Sequence, residues 1–289
     1  MIISRLLPCL FLTLLLGAGL RGASLPLQDG EQLRYRVSWA IVPGAGEIKI
    51  DAQHSPTNPA HLVVTSTTGT RAFAKMLLSF SAKSESIFDL ETGRLLAMHE
   101  TAMTRKKPTE HTVKFDYSER QATLTRITPA EPSRQLPIPE GNPADLILGL
   151  LQTRTWKLQP GEKQDSLVLF DDDFYELTIH AIRYEDVRTP LGTFNTLLLE
   201  PRMEKTPPKG MFKRGSRVRV WIAQNDHRLP VRFEVDFKIG TGTATLEAYR
   251  PPAVAAKSGG APTSRSTAGS RAAELAPGTA PSNAPNSRP

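Results

Sequence analysis

The sequence predicts a mainly β protein: a large twisted antiparallel sheet rolled into an open or partly closed barrel, with one short helix near 143–153. Segments in which apolar and polar residues alternate recur about a dozen times along the chain. Glycine, proline and acidic turn residues separate these segments at short intervals. Only one segment has a helical period, and rolling is expected because so long a sheet would otherwise expose its edges.

The first half of the chain supplies several of these strands. In 31–39, Leu33, Tyr35 and Val37 alternate with polar residues, and the PGAG segment at 43–46 interrupts the pattern before it resumes at 47–52. Further strand-like segments are 61–67, a hairpin over 83–99 with its turn at 91–93, and a pair within 111–127 around 118–120. Residues 70–82 fit either a short helix or a bulged strand.

The helix is predicted from its start signals. Asn142 can cap it, Pro143 suits the first helical position, and Asp145 complements the positive end of the helix dipole. An apolar stripe of about three turns follows, formed by Leu146, Ile147, Leu150 and Leu151.

The strands return in the second half, at 167–170, 174–181, 194–200, 216–222, 231–239 and 241–249. In 216–222 the alternation predicts that Val218, Val220 and Ile222 point inward and that Trp221 points outward. Asp226 and His227 lie between two strands and are adjacent in sequence, so extended backbone would direct them to opposite sides. A hairpin tip is therefore predicted there, rather than a catalytic dyad.

The two ends of the sequence differ from the rest. Residues 1–24 contain an early cation, an apolar run over 6–16 and then small residues, which predicts a signal peptide cleaved after Gly19 or Ser24. Residues 251–289 are rich in proline, alanine and serine and are expected to be a disordered tail. A single β-rich domain over 25–250 remains. We expect it in the periplasm, soluble and without a lipid anchor, because the only cysteine, Cys9, lies inside the apolar run.

Charge and motifs limit the possible functions. Of the formal net charge of +7, only +2 belongs to residues 24–250, so nucleic-acid binding is not expected. The acidic run at 171–173 lacks EF-hand spacing, and the histidines lack the spacing of zinc ligands, so no metal and no cofactor are expected. A carboxylate pair of the glycosidase type has no local motif, which leaves an enzyme as an alternative.

The segment 201–219, here called the basic loop, is the candidate ligand contact. It carries seven cations against the single acid Glu204, and Pro207, Pro208 and Gly210 favour a loop. Met211 and Phe212 are expected to be an exposed apolar pair within the positive field. The candidate ligand-binding residues are Lys205, Lys209, Met211, Phe212, Lys213 and Arg214. A merely solvated loop is the alternative to a contact for anionic lipid, an envelope polymer or an acidic partner.

Short motifs in a fixed order resemble the DUF3108 family of exported bacterial proteins over about 28–249. They are Gly30-Glu31, Leu33-x-Tyr35-x-Val37-x-Trp39, Gly44-Ala45-Gly46-Glu47, Asn142-Pro143-Ala144-Asp145-Leu146, Gly161-Glu162, Gly192-Thr193-Phe194, Val220-Trp221-Ile222, Asp226-x-Arg228-Leu229-Pro230-Val231 and Ile239-Gly240-Thr241-Gly242. The resemblance implies an exported protein with an extended or rolled β-sheet, and it supplies no catalytic residues.

Three functions follow as hypotheses. The first is a non-enzymatic binding module for a lipid or other amphiphilic envelope ligand, with peripheral membrane contact through the basic loop. The second is an envelope glycan hydrolase with a carboxylate pair, and the third is a scaffold that docks an envelope partner. An apolar cavity with a polar rim would favour the first of these.

Overall fold

A computed structural model describes residues 25–40, 42–71, 79–170, 172–209, 212, 216–237 and 240–252. The predicted signal peptide, nearly all of the predicted tail and positions 72–78 of the ambiguous segment therefore lie outside the described residues. The first eight strands are β1 (Gln32–Trp39), β2 (Val42–His54), β3 (His61–Thr70), β4 (Phe80–Asp89), β5 (Leu95–Thr104), β6 (Lys107–Asp116), β7 (Gln121–Thr128) and β8 (Arg134–Pro137). The others are β9 (Ala144–Asp145), β10 (Lys163–Phe170), β11 (Asp173–Thr189), β12 (Gly192–Arg202), β13 (Arg217–Ala223), β14 (Pro230–Phe237) and β15 (Gly240–Arg250).

All fifteen strands belong to one sheet, in the order β8-β7-β6-β5-β4-β3-β2-β1-β15-β14-β13-β12-β11-β10-β9. Neighbouring strands are antiparallel, except that β9 runs parallel to β10. The first and last strands pair at the centre of the sheet, where Gln32 lies opposite Arg250. β8 and β9 are the two edges, so backbone pairing does not close the sheet, and the predicted fold class is confirmed.

The helix, α1 (Leu146–Leu151), lies in the predicted region but begins later and is shorter than predicted. Ala144 and Asp145 pair with Val168 and Leu169 as strand β9, which holds them extended and prevents a helical start at Pro143. Asp145 is instead the N-cap, because its carboxylate accepts the N–H of Leu148 at 2.9 Å. A 3-10 helix at Gln152–Thr155 continues from α1.

Side chains from both halves of the sheet fill the fold in three apolar clusters. Leu148 and Leu151 of α1 belong to the first cluster, with residues of β1–β5, while Leu150 belongs to the second, with residues of β10–β13. The helix packs closely on β10, since a methyl added at Gly149 would lie 2.5 Å from Val168 Cγ1. Glycine is therefore required at this contact.

Strand β13 is buried on both faces. Val218, Val220 and Ile222 belong to the second cluster, and Trp221 is only 4% exposed within the first. The prediction that Trp221 points outward to solvent is therefore wrong. Alternation identifies a strand but cannot distinguish its faces when packing covers both of them.

The two ends of the sheet meet along a line of side-chain contacts, here called the seam. The third cluster joins residues of β5–β8, among them Met98 and Val113, to Leu169 and Phe174 of the β10–β11 hairpin. Arg134 of β8 donates to Asp172 at 2.7 Å. The sheet is thus rolled, and the seam is held by packing and charge.

Candidate functional site

A cavity of about 580 Å³ opens at the seam, and we call it the seam cavity. Its walls come from the start of the described chain, the end of β4, the connection before β9, the helical segment, β10 and β11. The lining residues are Leu25, Pro26, Phe88, Gly93, Pro139, Glu140, Gly141, Asn142, Pro143, Ala144, Leu148, Gln152, Trp156, Gln164, Asp165, Ser166, Leu167 and Glu176.

The apolar part of the lining is built from four separate elements. Phe88 ends β4, Leu148 lies on α1, and Trp156 follows the 3-10 helix. Leu167 lines the cavity while its neighbour Val168 is fully buried in the second cluster, as alternation along β10 requires. Aromatic and aliphatic side chains thus share one concave surface.

The polar part centres on Lys205, whose ammonium bridges two carboxylates of the lining. It lies 2.9 Å from Asp165 Oδ2 and also contacts Glu176 Oε1. Thr178 donates a second hydrogen bond to Asp165, at 2.8 Å. Lys205, one of the predicted site residues, is thus not part of the lining itself but pairs with two carboxylates that are.

These contacts set the charge states at the rim. The hydrogen bonds from Lys205 and Thr178 lower the pKa of Asp165, while those to Glu176 and Asp165 raise the pKa of Lys205. Asp165 is consequently held as an anion and is a poor proton donor. A glycosidase needs one carboxylic acid with a raised pKa, and Asp165 does not provide it.

The other basic-loop residues that the structure describes do not line the cavity. The Lys209 ammonium lies 5.1 Å from the centre of the Tyr175 ring. Phe212 is only 8% exposed and packs in the second cluster, so the prediction that it is exposed is wrong. Met203 and Val218 belong to the same cluster and line a surface pocket together with Phe212. Met211, Lys213 and Arg214 lie outside the described residues.

Acidic neighbours also neutralise the described arginines of the basic loop. Arg202 lies 2.8 Å from Glu200, and Arg219 lies 2.8 Å from Asp236. Arg217 is 3.9 Å from the second oxygen of Glu200. Over the described residues, the positive run in the sequence therefore does not give an equally positive surface, because acids on β12 and β14 neutralise these arginines.

A partly buried cluster of Glu31, Arg154 and Arg228, here called the arginine anchor, holds the helical end of the cavity. Arg154 lies 2.8 Å from Glu31, and their side chains are only 10% and 3% exposed. Arg154 also donates to the carbonyls of Pro26 (2.8 Å) and His227 (2.9 Å). The ion pair thereby fixes Pro26, which lines the seam cavity.

Arg228 completes the anchor by donating to the carbonyls of Arg154 (2.9 Å) and Trp156 (2.7 Å). It lies in the turn between β13 and β14, where Asp226 and His227 are exposed, so the predicted hairpin tip is confirmed. The His227 ring lies 5.5 Å from the Tyr249 ring, and burial, followed by the charge of Glu31, raises the pKa of Tyr249 to about 12. The hydrogen bond from Arg228 thereby positions Trp156.

Sequence reasoning missed the seam cavity, because its lining comes from distant segments without a local motif. Part of the anchor did carry a signal, since the family motifs include Glu31 and Arg228. Among the described residues, no group of three or more His, Cys, Asp or Glu could hold a metal ion. No helix in the described part of the chain is long and apolar enough to cross a membrane.

Comparison with known proteins identifies the family. The family model of DUF3108, a protein family of unknown function, matches residues 34–247. The chain belongs to the DUF3108 family. Comparison with the curated proteins gives no match.

Three solved structures are similar to this chain to different degrees. A β-barrel-like protein of the DUF1849 domain family from Brucella abortus is similar, with a TM-score of 0.52, 8% identity, and coverage of 79% of this chain and 99% of that one. A protein from Bacteroides fragilis named as exported, with a YmcC-like fold, gives 0.32 at 12% identity and the same coverage. A protein from Parabacteroides distasonis named as a lipoprotein gives 0.29 at 11% identity, again with that coverage. The first likeness supports the β-barrel-like architecture of this DUF3108 chain.

Proposed function

We propose that this DUF3108 protein is an exported, non-enzymatic binding module whose seam cavity takes a lipid or other amphiphile. The observation that carries the proposal is the mixed lining of the cavity, in which Phe88, Leu148, Trp156 and Leu167 meet a polar rim. Its volume of about 580 Å³ is within the usual range for small-molecule sites. An amphiphile matches both parts of such a surface.

The rim indicates the kind of head group. Glu140, Asp165 and Glu176 line the cavity, and Lys205 neutralises only part of their charge. Glutamine side chains at positions 152 and 164 add donors and acceptors. We expect a head group rich in hydroxyl or ammonium donors, because a bare anion would be repelled by the carboxylates.

Export rests on the first residues of the sequence. Residues 1–24 have the early cation, apolar run and small residues of a signal peptide, and the only cysteine lies inside that run. The expected location is therefore the periplasm. A lipid-binding module there would meet its ligands at the envelope.

A cavity-blocking variant tests the proposal. Gln164 is exposed and lines the cavity, whereas the neighbouring Lys163 is exposed and lies outside the lining. Gln164→Trp should fill the opening, and Lys163→Trp is the matched control on the same strand. N-phenyl-1-naphthylamine, whose fluorescence rises in apolar surroundings, serves as the amphiphilic probe.

We expect the wild type and Lys163→Trp to bind the probe equally and Gln164→Trp to bind it at least about tenfold more weakly. Equal binding by all three proteins would show that the probe does not enter the seam cavity. Equal thermal stability of the two variants would show that the difference comes from the cavity and not from unfolding.

A further inference from the structure

The hairpin between β5 and β6 ends in three consecutive cations, Arg105, Lys106 and Lys107, here called the basic tip. All three are exposed, and no carboxylate among the described residues forms an ion pair with them. This differs from the described arginines of the basic loop, which have acidic partners. The basic tip therefore projects an unneutralised positive charge.

The backbone of the basic tip is held in an unusual conformation. Thr104 pairs with Lys107, and the two loop residues Arg105 and Lys106 have positive φ angles of 47° and 67°. Two-residue hairpin loops of this kind favour Asn-Gly, because side chains without local polar groups are strained there. The N–H of Arg105 also donates to the carbonyl of Ser79 at 2.9 Å. Long cationic side chains thus occupy positions that backbone preference alone would give to smaller residues, which points to a function for their charge.

A groove of about 560 Å³ adjoins the base of the tip and extends the charged surface. Its lining includes three cations (Lys49, Arg71 and Lys83) against two acids (Glu47 and Glu110). Lys49 and Arg71 share Glu47, and Lys83 pairs with Glu85, so the groove itself is partly neutralised. With the tip included, positive charge exceeds negative charge at this end of the sheet.

An apolar residue accompanies the charge. Met103 is 40% exposed, lies opposite Pro108 in the β5–β6 pair, and lines the groove beside the tip. Cations next to an exposed apolar side chain match the surface of an anionic bilayer, where cations meet phosphates and apolar groups enter the interface.

We propose that the basic tip docks the protein on an anionic phospholipid bilayer. This surface lies at the opposite end of β4 and β5 from the seam cavity: Phe80 pairs with Thr104 near the tip, while Phe88, which lines the cavity, pairs with Leu95. Docking would leave the seam cavity facing away from the contacted bilayer. The proposal is independent of what the cavity binds.

The double variant Arg105→Asn, Lys106→Gly tests the proposal without harming the fold. Asn-Gly suits the positive φ angles, so the thermal midpoint should stay equal or rise. The matched control is Lys157→Asn, Lys163→Asn, which removes two exposed cations that have no ion pair with any described carboxylate. Both double variants thus lose the same charge.

Sedimentation with vesicles of phosphatidylglycerol and phosphatidylcholine in equal parts measures the docking. We expect the tip variant to lose about 30-fold in partition coefficient and the control to bind like the wild type. Added salt should release the wild type, because it screens exposed charges. Equal losses of vesicle binding in the two double variants would mean that only the net charge of the protein matters, which would overturn the proposal. The proposal would also be overturned if the wild type did not bind the vesicles at low salt.

Discussion

Asp145 shows at the residue scale how one side chain supports the site. Its carboxylate caps α1 through Leu148 and also accepts the hydroxyl of Ser86 at 2.8 Å, which ties the helix to β4 across the seam. Burial raises the pKa of Asp145, although hydrogen bonds from Leu148 and Ser86 act in the opposite direction. The family motif at 142–146 marked this residue, but its acceptance of the Ser86 hydroxyl could not be predicted, since Ser86 lies on a distant strand.

The sign of this pKa shift gives a pH prediction. The pKa of Asp145 is higher in the folded protein than in the unfolded chain, where it is about 3.9. The stabilisation that comes from the protonated carboxyl group is therefore fully present below about pH 3.9, and it is lost as the pH rises through the folded pKa. Asp145→Asn keeps the capping oxygen and cannot ionise. We therefore expect the variant to gain stability relative to the wild type as pH rises through that window, in urea unfolding at several pH values.

Asp145→Ala is the control for the cap itself. It should be less stable than Asp145→Asn by about 1 kcal/mol at every pH, because neither side chain ionises and only asparagine offers an acceptor to the N–H of Leu148. If Asp145→Asn lost stability at neutral pH, the ionised carboxylate would be net stabilising and the burial argument would be wrong.

At the element scale, periodicity located the strands but not their partners. The alternation in 216–222 placed β13, yet burial of both faces made the expectation for Trp221 wrong. The cations of the basic loop were visible in sequence, but the acids that neutralise Lys205 lie on β10 and β11. The local sequence does not show these contacts, because the pairing of β10, β11 and β12 creates them. For the same reason the start of α1 was misplaced: parallel pairing with β10 extends Ala144 and Asp145.

The contact between α1 and β10 yields a prediction at this scale. Alanine is intrinsically a better helix former than glycine by about 1 kcal/mol. A methyl at position 149 would nevertheless lie 2.5 Å from Val168 Cγ1, which forces the helix away from the strand. We expect Gly149→Ala to destabilise the protein by about 1–3 kcal/mol in urea unfolding.

The double variant Gly149→Ala, Val168→Ala provides the control. Removing the Val168 methyl groups should make part of the Gly149→Ala loss disappear, as expected for residues in contact. Additive effects of the two substitutions would mean that the helix does not press on β10 at this point.

At the scale of the whole molecule, the meeting of the two sheet ends creates both the seam and its cavity. The sequence predicted a rolled sheet from the number of strands, and the structure confirms an open roll. The cavity could not be predicted from the sequence, because Phe88, Trp156 and Leu167 come together only when the sheet is rolled. The arginine anchor was partly visible as motifs at Glu31 and Arg228, while Arg154, which joins them, carried no motif. Function as a binding module therefore requires that the seam cavity hold a ligand.

Native mass spectrometry of the wild-type protein and Gln164→Trp, each recovered from the envelope of the cells that make it, is the most direct test of that claim. We expect the wild type to carry a non-covalent adduct of amphiphile size, and Gln164→Trp to lack it. Without the adduct, the masses of the two mature proteins should differ only by the substitution. Bare wild-type protein, or the same adduct on both proteins, would contradict the assignment of the seam cavity as the ligand site.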